Sequence, residues 1–388
     1  VELHLFGRTD VGQIREHNED NFLVADLTRR TRSLMEEDRR QIVGERGTVI
    51  GVCDGMGGAA AGEVASQLAV DIIFERLADG DPPRDRDDLA RRLVAAVEDA
   101  GMRIFAEARA DRSRRGMGTT ATVAALLDGR LFVAQVGDSR CYVLRGDKLT
   151  QVTRDQSLVN QLIEAGQLTE EEAETFEHNN IILQALGTAE TVQVDLTYVD
   201  LCKGDVLLLC SDGLSGMIRA DEIREVLLAV KDPLEACRVL TERANYAGGH
   251  DNVTVIVARA EGPALPAPGP DTPPPGYRKY ALPELPAEET VRAAPVALPS
   301  HPSIPSDDSG RRNLRVGVTL IGAASPVGDE ALAPSAPSSR PPSNPSPALN
   351  VVDEPVNIPT TGWPPLLVGF MVVGSLLLVA VIGFFVFR

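Results

Sequence analysis

The chain has 388 residues, 43% of them hydrophobic, enough for one large folded domain or two smaller ones. Its 56 acidic residues outnumber 38 Lys and Arg, and the resulting net charge of −18 repels a phosphodiester backbone, which argues against nucleic acid as a partner. Five cysteines (Cys53, Cys141, Cys202, Cys210 and Cys237) are odd in number, lack CxxC spacing and sit mostly in apolar runs, so buried, reduced thiols in a cytosolic compartment are expected rather than a disulfide framework.

Residues 1–30 contain no basic stretch followed by an apolar core, so no secretory signal is expected there. Residues 27–47 are dense in charge of both signs and fit a solvated hairpin or loop, with a regulatory docking site as the alternative. A continuously apolar strand is expected at 48–53. Two long helices follow, one carrying Val64, Leu68 and Ile72 at four-residue spacing, the other Leu89, Leu93, Val97, Ile104 and Phe105. Asp87 and Asp88 suit the positive N-terminal turn of the second. Strands are expected again at 120–127, 131–136 and 140–145, with hairpin connections at Gly129 and at Gly137-Asp138. Residues 157–177 read as two short helices split at Gly166, polar enough to be a surface excursion. Strands at 205–210 and 253–259 complete the folded part, residues 1–260. Strands grouped apart from helices predict an α+β layered domain rather than a βαβ winding.

The remainder has a different composition. Residues 261–360 hold 22 of the 27 prolines, too little apolar surface to offset ordering entropy, so residues 261–362 are expected to be a disordered linker. Within it, the β-prone stretch Val316–Ile321 is either a sticky patch or a short docking strand. From Trp363 to Phe387 no residue is charged, and Arg388 follows. At about 1.5 Å per residue that helix spans the roughly 30 Å hydrocarbon core of a bilayer, so residues 363–388 are expected to form a single transmembrane helix.

The aspartates fall at strand ends beside glycine. Asp54 follows the run VIGVC and precedes Gly55; Asp212 follows DVLLLC and precedes Gly213; Asp251 sits between Gly248-Gly249-His250 and VTVIVA; Asp138 lies in Gly137-Asp138-Ser139-Arg140. An Asp-Gly pair is most often just a turn. Four at the edges of one sheet system instead suggest carboxylates brought together, which repel unless a hard divalent cation neutralises them. No HExxH, Cys/His cluster, GxSxG or P-loop competes. Near the N-terminus, Arg15 is a plausible bidentate phosphate ligand, and Glu19 and Asp20 add acidic groups beside it.

These segments together resemble the bacterial type 2C family of metal-dependent serine/threonine protein phosphatases. The match runs in order through GxxRxxNED at 12–20, VCDGMGG at 52–58, GTT at 118–120, VGDSR at 136–140, LCSDGL at 209–214 and GHDNVT at 249–254. The resemblance implies a sandwich of two central antiparallel sheets flanked by helices (α-β-β-α). It also implies roles. Asp54 would bridge two Mn²⁺ or Mg²⁺ ions, with the Gly55 carbonyl on one of them, and Asp212 and Asp251 would be ligands of the other. Asp138 with Asp212 would serve a third ion. Glu19 and Asp20 would hold metal-bound waters, Arg15 would grip the substrate phosphate, and residues 157–180 match a mobile flap. A metal-activated water would then hydrolyse phosphoserine or phosphothreonine without a phosphoenzyme. Met56 stands where many eukaryotic members of the family carry a proton-donating His; His17, His250 or a metal-bound water could substitute, although each histidine also fits a solvent-facing residue with no special role.

A pseudophosphatase that only binds phosphoproteins is the alternative, though no metal carboxylate is lost; a nuclease-like phosphoesterase is opposed by the acidic balance. The expected partners are phosphorylated proteins, including a Ser/Thr kinase and its targets, and the membrane. The chain is expected to be a monomer anchored by its C-terminal helix, with the catalytic domain in the cytoplasm.

Overall fold

The computed structural model describes residues 1–32, 39–57, 61–173, 176, 180–269 and 272–283, all within the unit Val1–Val296. The first half contains strands β1 (Glu2–Asp10), β2 (Asn21–Asp26), β3 (Thr31–Arg32), β4 (Arg40–Ile42), β5 (Thr48–Cys53) and β6 (Gly55–Met56). Helices α1 (Ala61–Ala78) and α2 (Arg86–Ala110) follow, then β7 (Gly118–Thr119), β8 (Ala121–Leu127), β9 (Arg130–Val136), β10 (Arg140–Arg145) and β11 (Lys148–Gln151). The rest comprises α3 (Leu158–Glu164), α4 (Glu170–Ala173), β12 (Asp195–Asp200), β13 (Val206–Cys210), α5 (Asp212–Ser215), α6 (Ala220–Ala229), α7 (Pro233–Tyr246) and β14 (Val253–Glu261).

Two six-stranded antiparallel sheets face each other, one ordered β11-β10-β13-β14-β1-β4 and the other β12-β9-β8-β5-β2-β3. Three apolar layers explain why several strands are apolar throughout. In β5, Ile50 and Val52 enter the core between the sheets, while Val49 and Cys53 face α1 and α2. In β13, Leu207 and Leu209 point between the sheets, while Leu208 and Cys210 face α6 and α7. Both faces of each strand are covered, so the period-two alternation has no polar side to show. All five cysteines are buried and unpaired. The architecture is the layered α-β-β-α sandwich anticipated from sequence.

Local expectations hold in several places. Asp85 caps α2 by accepting from the Asp88 amide, and Asp87 and Asp88 occupy the first turn. On α1 the deepest stripe is Ala65, Ala69 and Ile73; Val64 and Leu68 lie at its half-buried margin. Small alanines carry little hydropathy signal but let the helix lie close to the sheet. Gly166 has φ +67° between α3 and α4, which places the helix break where expected.

Of the two hairpin connections expected, one forms and one does not. β8 and β9 form a hairpin through Asp128 and Gly129, both with positive φ. Gly137-Asp138 does not close a hairpin: β9 pairs with β8 and β12, whereas β10 pairs with β11 and β13 in the other sheet. The connection is a crossover between sheets. The charged segment 27–47 likewise passes from β3 on one sheet edge to β4 on the edge of the other, and its residues 33–38 lie outside the described residues.

Packing also continues beyond residue 260. Residues 278–280 run along the edge strand β12, with the Tyr198 amide bonded to the Arg278 carbonyl and the Tyr280 amide to the Leu196 carbonyl. The Tyr280 ring meets Phe132 and Tyr198 edge-on at 4.9 and 5.3 Å, and its hydroxyl reaches Asp87 on α2. Proline content marks this strap as linker; its two tyrosines make it part of the domain. The stretch Val316–Ile321 and the span at 363–388 lie outside the described residues, among which no helix is long and apolar enough to cross a membrane.

Tyr280→Ala should therefore destabilise the domain by about 1–2 kcal/mol through loss of the aromatic cluster. Urea unfolding measures this, and an unchanged midpoint would show the strap to be only loosely held.

Candidate active site

Strand register carries the carboxylates to one end of the sandwich. Asp20 immediately precedes β2 and Asp54 immediately follows β5, and Asn21 pairs with Cys53, so both flank the same end of that strand pair. In the other sheet Arg140 pairs with Cys210, so two residues further on Asp138 comes opposite Asp212. Cys210 in turn pairs with Val255, and Asp10 with Val253, which places the 250–253 turn and the 10–20 loop at that end too.

The glycines that follow Asp54 and Asp212 do not make turns. A Cβ on Gly55 would lie 2.3 Å from the carbonyl oxygens of Glu19 and Gly62, and one on Gly213 would lie 1.9 Å from that of Asn252. Gly55 begins β6 and Gly213 lies in α5. Backbone crowding, not chain reversal, accounts for both residues.

Electrostatics confirm that the aspartates face one another. Asp20 is only 5% exposed, and burial, reinforced by Asp212 and Asp251, raises its pKa to about 8, although Thr254 and Ser211 hydroxyls donate to it at 2.7 and 2.8 Å. Asp54 is pushed well up by burial and by Asp20, Asp212, Asp138 and Asp251. Asp138 is raised to about 7 by burial and then by Asp212 and Asp155. Asp212 is raised by burial and Asp251, partly offset by hydrogen bonding to Asp54. Oδ1 of Asp138 and Oδ1 of Asp212 are buried without any hydrogen-bond partner. Such orphaned carboxylate oxygens ask for a cation.

The donor set suits hard divalent ions, since it is made of the carboxylate oxygens of Asp54, Asp138, Asp212 and Asp251. Among the described residues, no three His, Cys, Asp or Glu side chains form a group able to hold an ion unaided.

Arg15 lies at the rim, its Nη2 2.7 Å from Asp251 Oδ2 in a solvent-exposed pair. Exposed pairs contribute little stability, so the guanidinium can exchange this partner for a phosphate at low cost. Burial raises the Glu19 pKa, and its backbone amide donates to Asn252 Oδ1 at 2.8 Å. His17 and His250 are both exposed on the surrounding loops, and Met56 pairs through β6 with Gly118 of β7.

Several residues in the motifs have structural roles that sequence reasoning left unassigned. Asn252 donates to the carbonyls of Val11 and His17 and accepts from the Glu19 amide, tying the N-terminal loop to β14. Thr120 accepts from the Asp54 amide and shares a hydrogen bond with Ser139, while the Thr119 hydroxyl donates to the Asp54 carbonyl. Gln156 accepts from the Gly137 amide, and Arg140 pairs with Asp155 at 2.7 Å. For Asn252, Thr119, Thr120, Ser139 and Arg140, presence inside GTT, VGDSR and GHDNVT was the available signal; Asp155 and Gln156 lie outside those motifs and carried none.

An all-antiparallel sandwich with a divalent-ion carboxylate site at one end defines a class of metal-dependent phosphatases. The protein phosphatase 2C family model matches residues 28–246, and the chain belongs to that family. It is a serine/threonine protein phosphatase of the bacterial type, dependent on Mn²⁺ or Mg²⁺. It is 35% identical over 255 residues to the serine/threonine phosphatase stp of Listeria innocua, covering 66% of this chain and 95% of that protein. It is 39% identical over 256 residues to the serine/threonine protein phosphatase PstP of Mycobacterium tuberculosis, covering 66% of this chain but 45% of that longer one. The solved catalytic domain of a PstP in complex with two manganese ions shares 36% identity, covering 67% of this chain and 99% of that one, with a TM-score of 0.56.

A pH dependence follows from the raised carboxyl pKa values. Each lies above its unfolded value near 4, so the folded state keeps protons that the unfolded chain has lost. The stability this confers is complete below about pH 4 and disappears as pH rises through 7 to 8. In EDTA-treated protein, Asp20→Asn should flatten the decline in Tm between pH 5 and 8, and Mn²⁺ should restore wild-type Tm at pH 8. A wild-type Tm indifferent to Mn²⁺ at pH 8 would contradict the cation fit.

Proposed function

We propose that the chain dephosphorylates phosphoserine and phosphothreonine in proteins at this carboxylate centre. The observation that carries the reading is the convergence of Asp54, Asp138, Asp212 and Asp251, with buried carboxylate oxygens left unpartnered. On this proposal Asp54 and the Gly55 carbonyl, together with Asp212 and Asp251, would hold a pair of divalent ions. Asp138 with Asp212 would hold a third, and Glu19 and Asp20 would orient waters beside them. Bound divalent ions supply an acidified water and neutralise phosphoryl charge during in-line attack.

The remaining roles belong to the chain's own groups. Arg15 leaves Asp251 and clamps the substrate phosphate with two parallel N–H donors. Thr119 and Thr120 fix the Asp54 backbone from both sides, so its carboxylate is aimed before substrate arrives. Ser211 and Thr254 hold Asp20 Oδ2, leaving its other oxygen to face the site. Met56 cannot donate a proton, and a leaving alkoxide must take one from water or an exposed histidine.

The larger setting is proposed from sequence. The phosphatase domain (1–260 by composition, extended by the strap to 283) is followed by a proline-rich tether to residue 362 and a membrane helix at 363–388. A monomer so anchored, with its domain on the cytoplasmic side, would act on membrane-associated phosphoproteins and oppose a Ser/Thr kinase. The tether would raise its effective concentration near such targets. Deleting residues 363–388 should move the protein from the membrane to the soluble fraction with unchanged turnover of small substrates; a truncated protein that stays with the membrane would refute the anchor.

Asp54→Asn should abolish Mn²⁺-dependent hydrolysis of p-nitrophenyl phosphate, because a neutral amide cannot bridge two dications, while the domain stays folded. Turnover above a few per cent of wild type would sink that role. Asp138→Ala should cost far less, since the paired-ion core would remain; an equal loss would place Asp138 in that core. Arg15→Ala should mainly raise KM. A normal KM with collapsed Mn²⁺ affinity would show that Arg15 instead supports Asp251.

A further inference from the structure

Apolar side chains are not scattered evenly over this surface. Among the described residues, the large ones left exposed are confined, apart from Ile42 and Met102, to the two loop systems that border the carboxylates. On one side stand Val11, Ile14 (64% exposed) and Tyr246 (96% exposed). Ile14 adjoins Arg15, which holds Asp251, and Tyr246 ends α7 just before the 247–251 loop. These two loops are laced together: the Gln13 amide donates to the Gly249 carbonyl, Asn245 to Asp10, and Asn252 to the Val11 carbonyl. On the other side stand Ile181 and Leu183. The Leu158 amide donates to the Ile181 carbonyl, the Leu183 amide to the Gln156 carbonyl, and the Gln156 amide to the carbonyl of Gly137, next to Asp138.

Isolated exposed apolar residues are ordinary, and each costs little. Their restriction to both banks of one charged centre is not ordinary, because the centre itself has no use for them. A substrate whose phosphate is held between Arg15 and the aspartates must lead its backbone out across these banks. An extended peptide advances about 3.3 Å per residue, so side chains a few positions either side of the phosphoresidue come over the two rims. Tyr246 offers a wide ring with little entropy to lose on being covered, the usual character of an interface anchor.

Resting on the phosphatase reading above, we propose that this enzyme selects phosphoproteins carrying large aliphatic or aromatic side chains on both sides of the phosphorylated residue, docked on Ile14 and Tyr246 and on Ile181 and Leu183. The occupant is the substrate polypeptide itself. Burying an aliphatic side chain at each rim, at about 25 cal/mol per Å², is enough for a selectivity of about tenfold.

The test uses the full chain with Mn²⁺ and two phosphothreonine peptides of equal length and charge. One carries Leu and Ile at the flanking positions, the other Ser and Gln. The wild type should show kcat/KM about tenfold higher for the apolar peptide, expressed mainly in KM. In the double variant Ile14→Ser, Tyr246→Ser that ratio should shrink, with Ile14→Val, Tyr246→Phe retaining it. A ratio between two peptides is insensitive to how much enzyme is folded, so a merely destabilised variant would keep the wild-type preference. A wild type that hydrolyses both peptides equally, or a double Ser variant that retains the preference, overturns the inference. A wild type inactive even on p-nitrophenyl phosphate would overturn the phosphatase reading itself, and this inference with it.

Discussion

Mutual repulsion among aspartates crowded at one end of a β-sandwich is the constraint around which the domain is arranged. Asp20, Asp54, Asp138 and Asp212 all have their acid forms favoured by burial, and each is raised further by at least one other aspartate. A fold that places them together gives up stability locally and must recover it elsewhere. The recovery comes from three stacked apolar layers that reach across both faces of the two sheets. With no cation bound, the crowded carboxylates oppose the fold, and a cation among them would relieve that repulsion. Folding and metal affinity are thus two aspects of one electrostatic problem.

The supports around the cluster are chosen to be uncharged. Ser211 and Thr254 donate to Asp20, Thr119 and Thr120 hold the Asp54 backbone, and Asn252 binds three segments of chain with one side chain. Hydroxyls and amides orient a carboxylate without neutralising it, so the negative potential is left for the ions. The cations that do lie near, Arg15 and Arg140, each have a carboxylate partner of their own, Asp251 and Asp155. Arg15 is the more exposed of the two.

The paired strands hold the aspartates at fixed register, while the loops at 10–20 and 245–252 and the stretch around 181–183 carry most of the exposed large apolar side chains among the described residues. The strap at 272–283 closes the exposed edge of β12, where unpaired backbone groups would invite another strand. It also touches the flap region: Arg154 lies 4.0 Å over the Tyr277 ring and pairs with Glu164 of α3 at 3.4 Å.

The sequence alone determined that acid-bearing strand ends would meet, because apolar runs such as Thr48–Cys53 and Val206–Cys210 can only be strands covered on both faces, and an aspartate just beyond each must emerge at an edge. It also determined the first helical turn at Asp87 and Asp88 and the break at Gly166, where helix-end charge and glycine's positive φ act within a few residues. It did not disclose β1, β2 or β12, whose mixed polar and aromatic residues become strands only when β14, β5 and β9 pair with them. Tertiary structure alone decided that Gly137 leads into the second sheet rather than a hairpin, that Gly55 and Gly213 answer to distant carbonyls, that Arg15 rests on Asp251, and that a proline-rich tail is held by Tyr277 and Tyr280. Each of those depends on atoms far apart in the chain, and local pattern carries no record of which distant backbone will approach.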